Sequence, residues 1–154
     1  MYKRLLNLII HPQTGWEIFE TEYIKIQKLI LNFLIPFSLF ASIISVFRLH
    51  FIGIKYKTTE ISTFNIEFSV LYGFVEFLAL VLGLILSIEL IYKTFSAFKY
   101  KFPKQILYNI IIYSSIPALM GELFFINIRL SSLSIFFQLY TLILIYYGFN
   151  KLLK

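Results

Sequence analysis

The sequence contains no cysteine and no aspartate, and few charges of any kind. Without cysteine there is no disulfide, no thiolate metal ligand and no cysteine nucleophile. The Gly-rich phosphate loop, the His-Glu-x-x-His pair and the Gly-x-Ser-x-Gly elbow are all missing. His11 and His50 lie outside the apolar runs, and Ser115 with the distant His50 makes no dyad. The expectation is a protein that is not an enzyme and holds no metal or cofactor. Charged residues make up 14% of the chain and apolar ones 59%, against about 25% and about 45–50% in soluble domains. The net charge is +6, but the basic residues cluster beside apolar runs, where they read as topology signals. Nothing resembles a nucleic-acid-binding module, so no nucleic acid is expected as a partner. The short patch Leu5–Ile10 has no small-residue cleavage site after it, so no cleaved signal peptide is expected.

What the chain does have is four long apolar runs, at about 29–47, 66–92, 106–126 and 131–149. Each is close to the roughly 20 residues that a spanning helix needs. The predicted fold is all-α: a polytopic membrane bundle of four transmembrane helices over 29–154, preceded by an amphipathic segment over 1–28. The bilayer is the first expected partner.

In that first segment His11-Pro12 interrupts the pattern. Thr14 and Glu17 have the spacing of a capping box. Trp16, Phe19, Tyr23, Ile26 and Ile30 then fall on one helical face. This reads as a helix in the headgroup plane with Trp16 as interface anchor. An ordinary amphipathic helix packed on protein is the other reading.

With four spans both termini share a side. That side holds Lys3, Arg4, Lys25, Lys28, Lys93, Lys99, Lys101, Lys104, Lys151 and Lys154, and the other holds Arg48, Lys55, Lys57 and Arg129. Ten against four puts both termini in the cytoplasm by the positive-inside rule.

The spans carry small, polar sides. Ser38, Ala41, Ser42 and Ser45 mark the first, around Pro36. Ser69, Gly73, Glu76, Leu80, Gly83 and Ser87 mark the second. Ser114, Pro117, Ala118 and Gly121, bordered by Glu122, mark the third. Ser131, Ser134, Gln138, Thr141 and Gly148 mark the fourth. In lipid, packing of small residues brings helices together, so these sides should face one another. The first span's small side could also pair with a second copy or with other membrane proteins.

Glu76 falls near the middle of its run, where a charge costs about 2.5–3.5 kcal/mol on insertion scales. The neutral acid is the expected form unless a cation or water reaches it. Glu76, Glu122 and Gln138 are therefore the candidate intramembrane polar site. A carboxylic acid hydrogen-bonded across the bundle is the preferred reading, and a proton or cation site the alternative. Glu89 lies about 160° round from Gly73 and four residues before Lys93, which suggests a structural ion pair. Pro117 frees the carbonyl of Tyr113 and should kink the third helix. Ser114 and Ser115 reach back toward Ile110 and Ile111, so the donor should come from Gln138 or Tyr140.

Four stretches share a pattern with one known family: His11-Pro12-Gln13-Thr14-Gly15-Trp16-Glu17-Ile18, Leu34-Ile35-Pro36, Tyr113-Ser114-Ser115-Ile116-Pro117, and Leu139-Tyr140-Thr141 through Tyr146-Tyr147-Gly148-Phe149. In order and spacing they resemble the Yip family of small multispanning membrane proteins, in its short bacterial form. The resemblance implies a compact helical bundle in a bacterial inner membrane, with a cytoplasmic N-terminus. Eukaryotic members act in vesicle traffic and bind Rab-type GTPases. This chain has four spans where family members commonly have five, and it lacks the long N-terminal region of some eukaryotic members. The expected function is non-enzymatic: organising or scaffolding partners in the membrane. The alternative is a small transporter or permeation subunit using Glu76 and Glu122.

Overall fold

The structure, a computed structural model, describes residues 2–17, 19, 24–55, 61–100, 102–127 and 130–152. Tyr23 of the predicted N-terminal face, and Lys57, Lys101, Arg129 and Lys154 of the charge count, lie outside these residues.

Four helices are long and apolar enough to cross a membrane, at Ile26–Ile52, Ile66–Ala97, Lys104–Ile126 and Leu133–Leu152. They are the predicted spans with ends shifted by a few residues. We number the helices α1 (Tyr2–Ile10), α2 (Pro12–Gly15), α3 (Ile26–Ile52), α4 (Ile66–Ala97), α5 (Lys104–Gly121, continued as a 3₁₀ turn over Glu122–Ile126) and α6 (Leu133–Leu152). A two-residue antiparallel ribbon pairs Ile54–Lys55 with Ile61–Ser62 between α3 and α4.

Local chemistry explains the breaks. Pro36 cannot donate to the carbonyl four residues back, and α3 widens just before it into a π turn over Ile30–Leu34. The Ile35 amide there bonds to Ile30, a common way for a helix to absorb such an interruption. Gly53 ends α3 at φ 77°, a conformation without penalty for glycine alone. Asn65 caps α4 by accepting from the Phe68 amide at 2.9 Å. At the other end of α4, Lys99 adopts φ 64°. The Tyr100 and Lys99 amides bond back to Phe95 and Ser96, which is the Schellman closure. Pro103 sits immediately before α5, where its missing N–H costs nothing.

The third span is the centre of the bundle. Every residue from Ile106 to Pro117 is buried. α5 packs most extensively on α6, and α3 and α4 cover its remaining sides. α5, with α6 as its main neighbour, is thus the structural core. The α3–α4 crossing is close because both faces are small. Ser38, Ala41, Ser42 and Ser45 are all buried. A Cβ on Gly73 would lie 2.3 Å from Val46 Cγ2 and 3.2 Å from the Ser42 carbonyl oxygen. The first span's small side is therefore used inside the chain and is not free for a second copy.

The N-terminal segment departs most from expectation. It does not lie across the end of the bundle. Tyr140 donates its hydroxyl to the Ile9 carbonyl, Gln13 donates to the Tyr147 hydroxyl at 3.1 Å, and Lys151 meets Glu17 at 3.0 Å. From Tyr140 to Lys151 these partners cover about 16 Å of α6. Trp16 is fully buried and donates its indole N–H to the Leu144 carbonyl at 3.2 Å. A side chain with no exposed surface cannot anchor in headgroups, so its packing on protein replaces the anchor role. The capping box does not form. Pro12 starts α2 at its first position, leaving Thr14 inside that turn and Glu17 with a long-range partner.

Candidate functional site

Among the described residues two polar clusters interrupt the apolar bundle, and they differ in how well their groups are satisfied. The first joins α4 to the start of α5. Glu89 accepts from Lys104 Nζ at 2.6 Å and from the Tyr108 hydroxyl at 2.6 Å. Lys104 also lies over the Tyr92 and Tyr108 rings. Glu89 is ion-paired, as expected, but its hydrogen-bonded partners are Lys104 and Tyr108 rather than Lys93. A tertiary contact across two helices has won over the local i, i+4 pair.

The second cluster holds the candidate site. Glu122 opens the 3₁₀ turn that ends the third span, and it lies within electrostatic reach of Glu76 and Arg48. Glu76 comes from α4, and Arg48 from the last, π-wound turn of α3. The Arg48 guanidinium sits over the Phe125 ring, 5.3 Å from its centroid, a favourable cation–π placement. So the two predicted acids are brought together, with a cation that lies just beyond the first predicted run. Its signal was weak: Arg48 follows an uncharged run by one residue.

The geometry also sets their depth. Along α5, Lys104 and Glu122 are separated by about 27 Å, and along α4, Glu89 and Glu76 by about 20 Å. Hydrocarbon is about 30 Å thick. On this scale Glu76 lies about two-thirds of the way across, between the middle of the bundle and Glu122.

Several groups in the bundle make no hydrogen bond among the described residues. They include Glu76 Oε2, Arg48 Nε and the hydroxyls of Ser38, Ser45, Ser114 and Ser134, all at buried atoms. Buried polar atoms are usually paired. Unpaired atoms on an acid and on a guanidinium near Glu122 distinguish this cluster from the fully paired one at Glu89. No group of three or more metal-ligating side chains forms among the described residues.

Gln138 is not part of the site. It is exposed on α6, while Ser134, Leu144 and Gly148 turn inward. Neither residue is placed as the predicted donor to the Tyr113 carbonyl: Gln138 faces outward and Tyr140 donates to Ile9. α5 continues as a helix through Pro117 to Gly121. Ser115 bonds to the Ile112 carbonyl at 2.8 Å, one residue from the expected acceptor.

A third assembly joins residues from distant parts of the sequence. The Trp16 ring packs on Gly148, where an added Cβ would lie 3.1 Å from two indole carbons and 2.9 Å from Ile110 Cγ2. Phe19 lies tilted against Tyr113 and Phe33 meets it edge-on, each with centroids 4.8 Å apart. Trp16, Tyr113 and Gly148 thus share one aromatic knot. Compared with family models, with characterised proteins and with solved structures, the chain gives no match.

Proposed function

We propose that this protein is a non-enzymatic integral membrane protein that organises partners in the bilayer, with both termini in the cytoplasm. The observation that carries the reading is the open state of α4. Only 6% of its most apolar stretch is buried, against 61% for the third span. On its open side Ala79, Gly83 and Ser87 recur every four residues, all exposed, and nothing lies within 4 Å of a Cβ built on Gly83. Small residues at this spacing let a second helix backbone approach closely in lipid. The partner is a membrane helix, a second copy of the chain being the simplest. A Yip-type identity is part of the proposal. Its support is that Trp16, Tyr113 and Gly148, from three of the four resembling stretches, meet in one aromatic knot. The test is native mass measurement in nanodiscs cut directly from membrane. Wild type should carry more than one polypeptide, and Gly83→Leu should carry one. A wild type that is single under these conditions removes the reading.

A second reading, a small transporter or permeation subunit, draws on the Arg48, Glu76 and Glu122 cluster and on the buried atom Glu76 Oε2. It predicts proton or monovalent-cation flux in proteoliposomes, abolished by Glu76→Gln. No flux in wild type, or equal flux in the variant, contradicts it.

A further inference from the structure

α6 has no length to spare. Its 20 residues rise about 30 Å, the thickness of the hydrocarbon layer. Position along it therefore reads as depth in the membrane. Tyr140 lies about 18 Å in from Leu152 and about 10 Å from Leu133. Side chains on a helix lean toward its N-terminus, here away from the Leu152 edge. The Tyr140 hydroxyl holds the Ile9 carbonyl, so the end of α1 sits well inside the layer. The next contacts climb toward the edge: Gln13 at Tyr147, Trp16 at Gly148 and Glu17 at Lys151. α1 turns back on α2, since a Cβ on Gly15 would lie 2.6 Å from Leu8 Cα. The break at His11-Pro12 thus falls between the levels of Tyr140 and Tyr147, about 8–18 Å inside the layer.

A helix break at this depth must pair its backbone groups within the protein or meet water. The His11 amide donates to the Asn7 carbonyl at 2.8 Å, and the Gly15 amide donates to the His11 carbonyl at 2.7 Å. Tyr140 covers the Ile9 carbonyl, and Pro12 has no N–H to satisfy. The backbone of the turn is therefore fit for hydrocarbon, and its exposed side chains divide in two. Leu6 and Ile10, one turn apart on α1, are 60% and 58% exposed, which costs nothing in lipid. His11 and Thr14 are exposed as well. Ionisable side chains inside a membrane face the bundle interior or a water-filled cavity, and an exposed imidazole does not face the interior. We propose that α1 and α2 form a re-entrant hairpin, inserted from the side on which α6 ends, with Ile10 among the acyl chains and a water-filled cleft running down to His11. Four helices then cross the membrane, and the hairpin enters it without crossing. The cleft gives water access to an imidazole within the hydrocarbon layer.

The test uses the full chain in phosphatidylcholine vesicles. It has no native cysteine, so single cysteines at exposed positions report on their own surroundings. Ile10→Cys, His11→Cys and Thr14→Cys probe the hairpin, Leu139→Cys the exposed side of α6, and Ser96→Cys the exposed end of α4. Each is reacted with a water-soluble maleimide present on both faces. A parallel set carries bimane, quenched by lipids with a nitroxide at mid-chain. Ile10→Cys should match Leu139→Cys in mid-chain quenching. Both should react about ten-fold or more slowly than Ser96→Cys, because only the thiolate reacts and hydrocarbon keeps a thiol un-ionised. His11→Cys and Thr14→Cys should react within about three-fold of Ser96→Cys, as water-exposed thiols do. Reaction of Ile10→Cys at the Ser96→Cys rate, without mid-chain quenching, would overturn the insertion. Protection of His11→Cys and Thr14→Cys equal to that of Leu139→Cys would overturn the cleft.

Discussion

The second and third spans make opposite use of the same solvent. α4 is the more apolar of the two and has few fully buried residues; α5 is less apolar and is buried throughout Ile106 to Pro117. In water that order would be reversed. In hydrocarbon, Leu and Phe gain nothing by turning inward, because lipid is as apolar as a protein core, whereas polar and small groups gain partners and close packing. α5 accordingly carries Tyr108, Asn109, Tyr113, Ser114 and Ser115 inside the bundle. α4 shows Leu71, Phe74, Leu82, Leu86 and Leu90 to the outside. The difference teaches that hydropathy ranks which helix faces lipid, while the polar and small residues choose which helix becomes the core.

The sharpest way to break this comparison is to truncate equivalent aliphatic side chains on each helix. Ile110→Ala or Ile112→Ala, at fully buried positions, should cost about 2–5 kcal/mol. Leu82→Ala, at 53% exposure, should stay within about 0.5 kcal/mol. Denaturant unfolding in detergent micelles reads both, and equal losses would mean that α4 is covered as α5 is.

A smaller effect separates the two halves of α4 itself. Gly73→Ala places a methyl 2.3 Å from Val46 Cγ2, and overpacking of this kind costs about 1–3 kcal/mol. Gly83→Ala meets no atom within 4 Å and should gain up to about 1 kcal/mol from helix propensity. The same unfolding measurement applies. A cost at Gly83 in the isolated chain would contradict its open position.

The same two glycines mark how far the sequence could be read. The spans and the buried small face of the first span followed from hydropathy and spacing. Ser69, Gly73 and Glu76 turned inward as the stripe on the second run required, but Gly83 and Ser87 did not. A stripe drawn at a fixed angle assumes one neighbour. α4 has two: its first half packs on α3 at Gly73, and its second half on α5 at Ile88 and Glu89. The contact face rotates between them and leaves Gly83 outside. Gln138 failed for a related reason, lying about 80° round α6 from the contact at Gly148. Of the candidate site, the two glutamates were legible as acids in apolar runs. Arg48 was not, since its role depends on a π turn and on Phe125 of another helix. Trp16 was recognised as important and given the wrong surroundings. Its socket is a glycine on the last helix, and no local pattern announces that pairing.

The central claim is that the open face of α4 receives another helix. The most direct measurement is a photo-crosslinking residue moved one position at a time from Leu78 to Ser87 in intact membranes. The account predicts protein adducts that peak at Ala79, Gly83 and Ser87 and fall away between them. Lipid adducts alone at every position, or protein adducts of equal yield all round the helix, would contradict it.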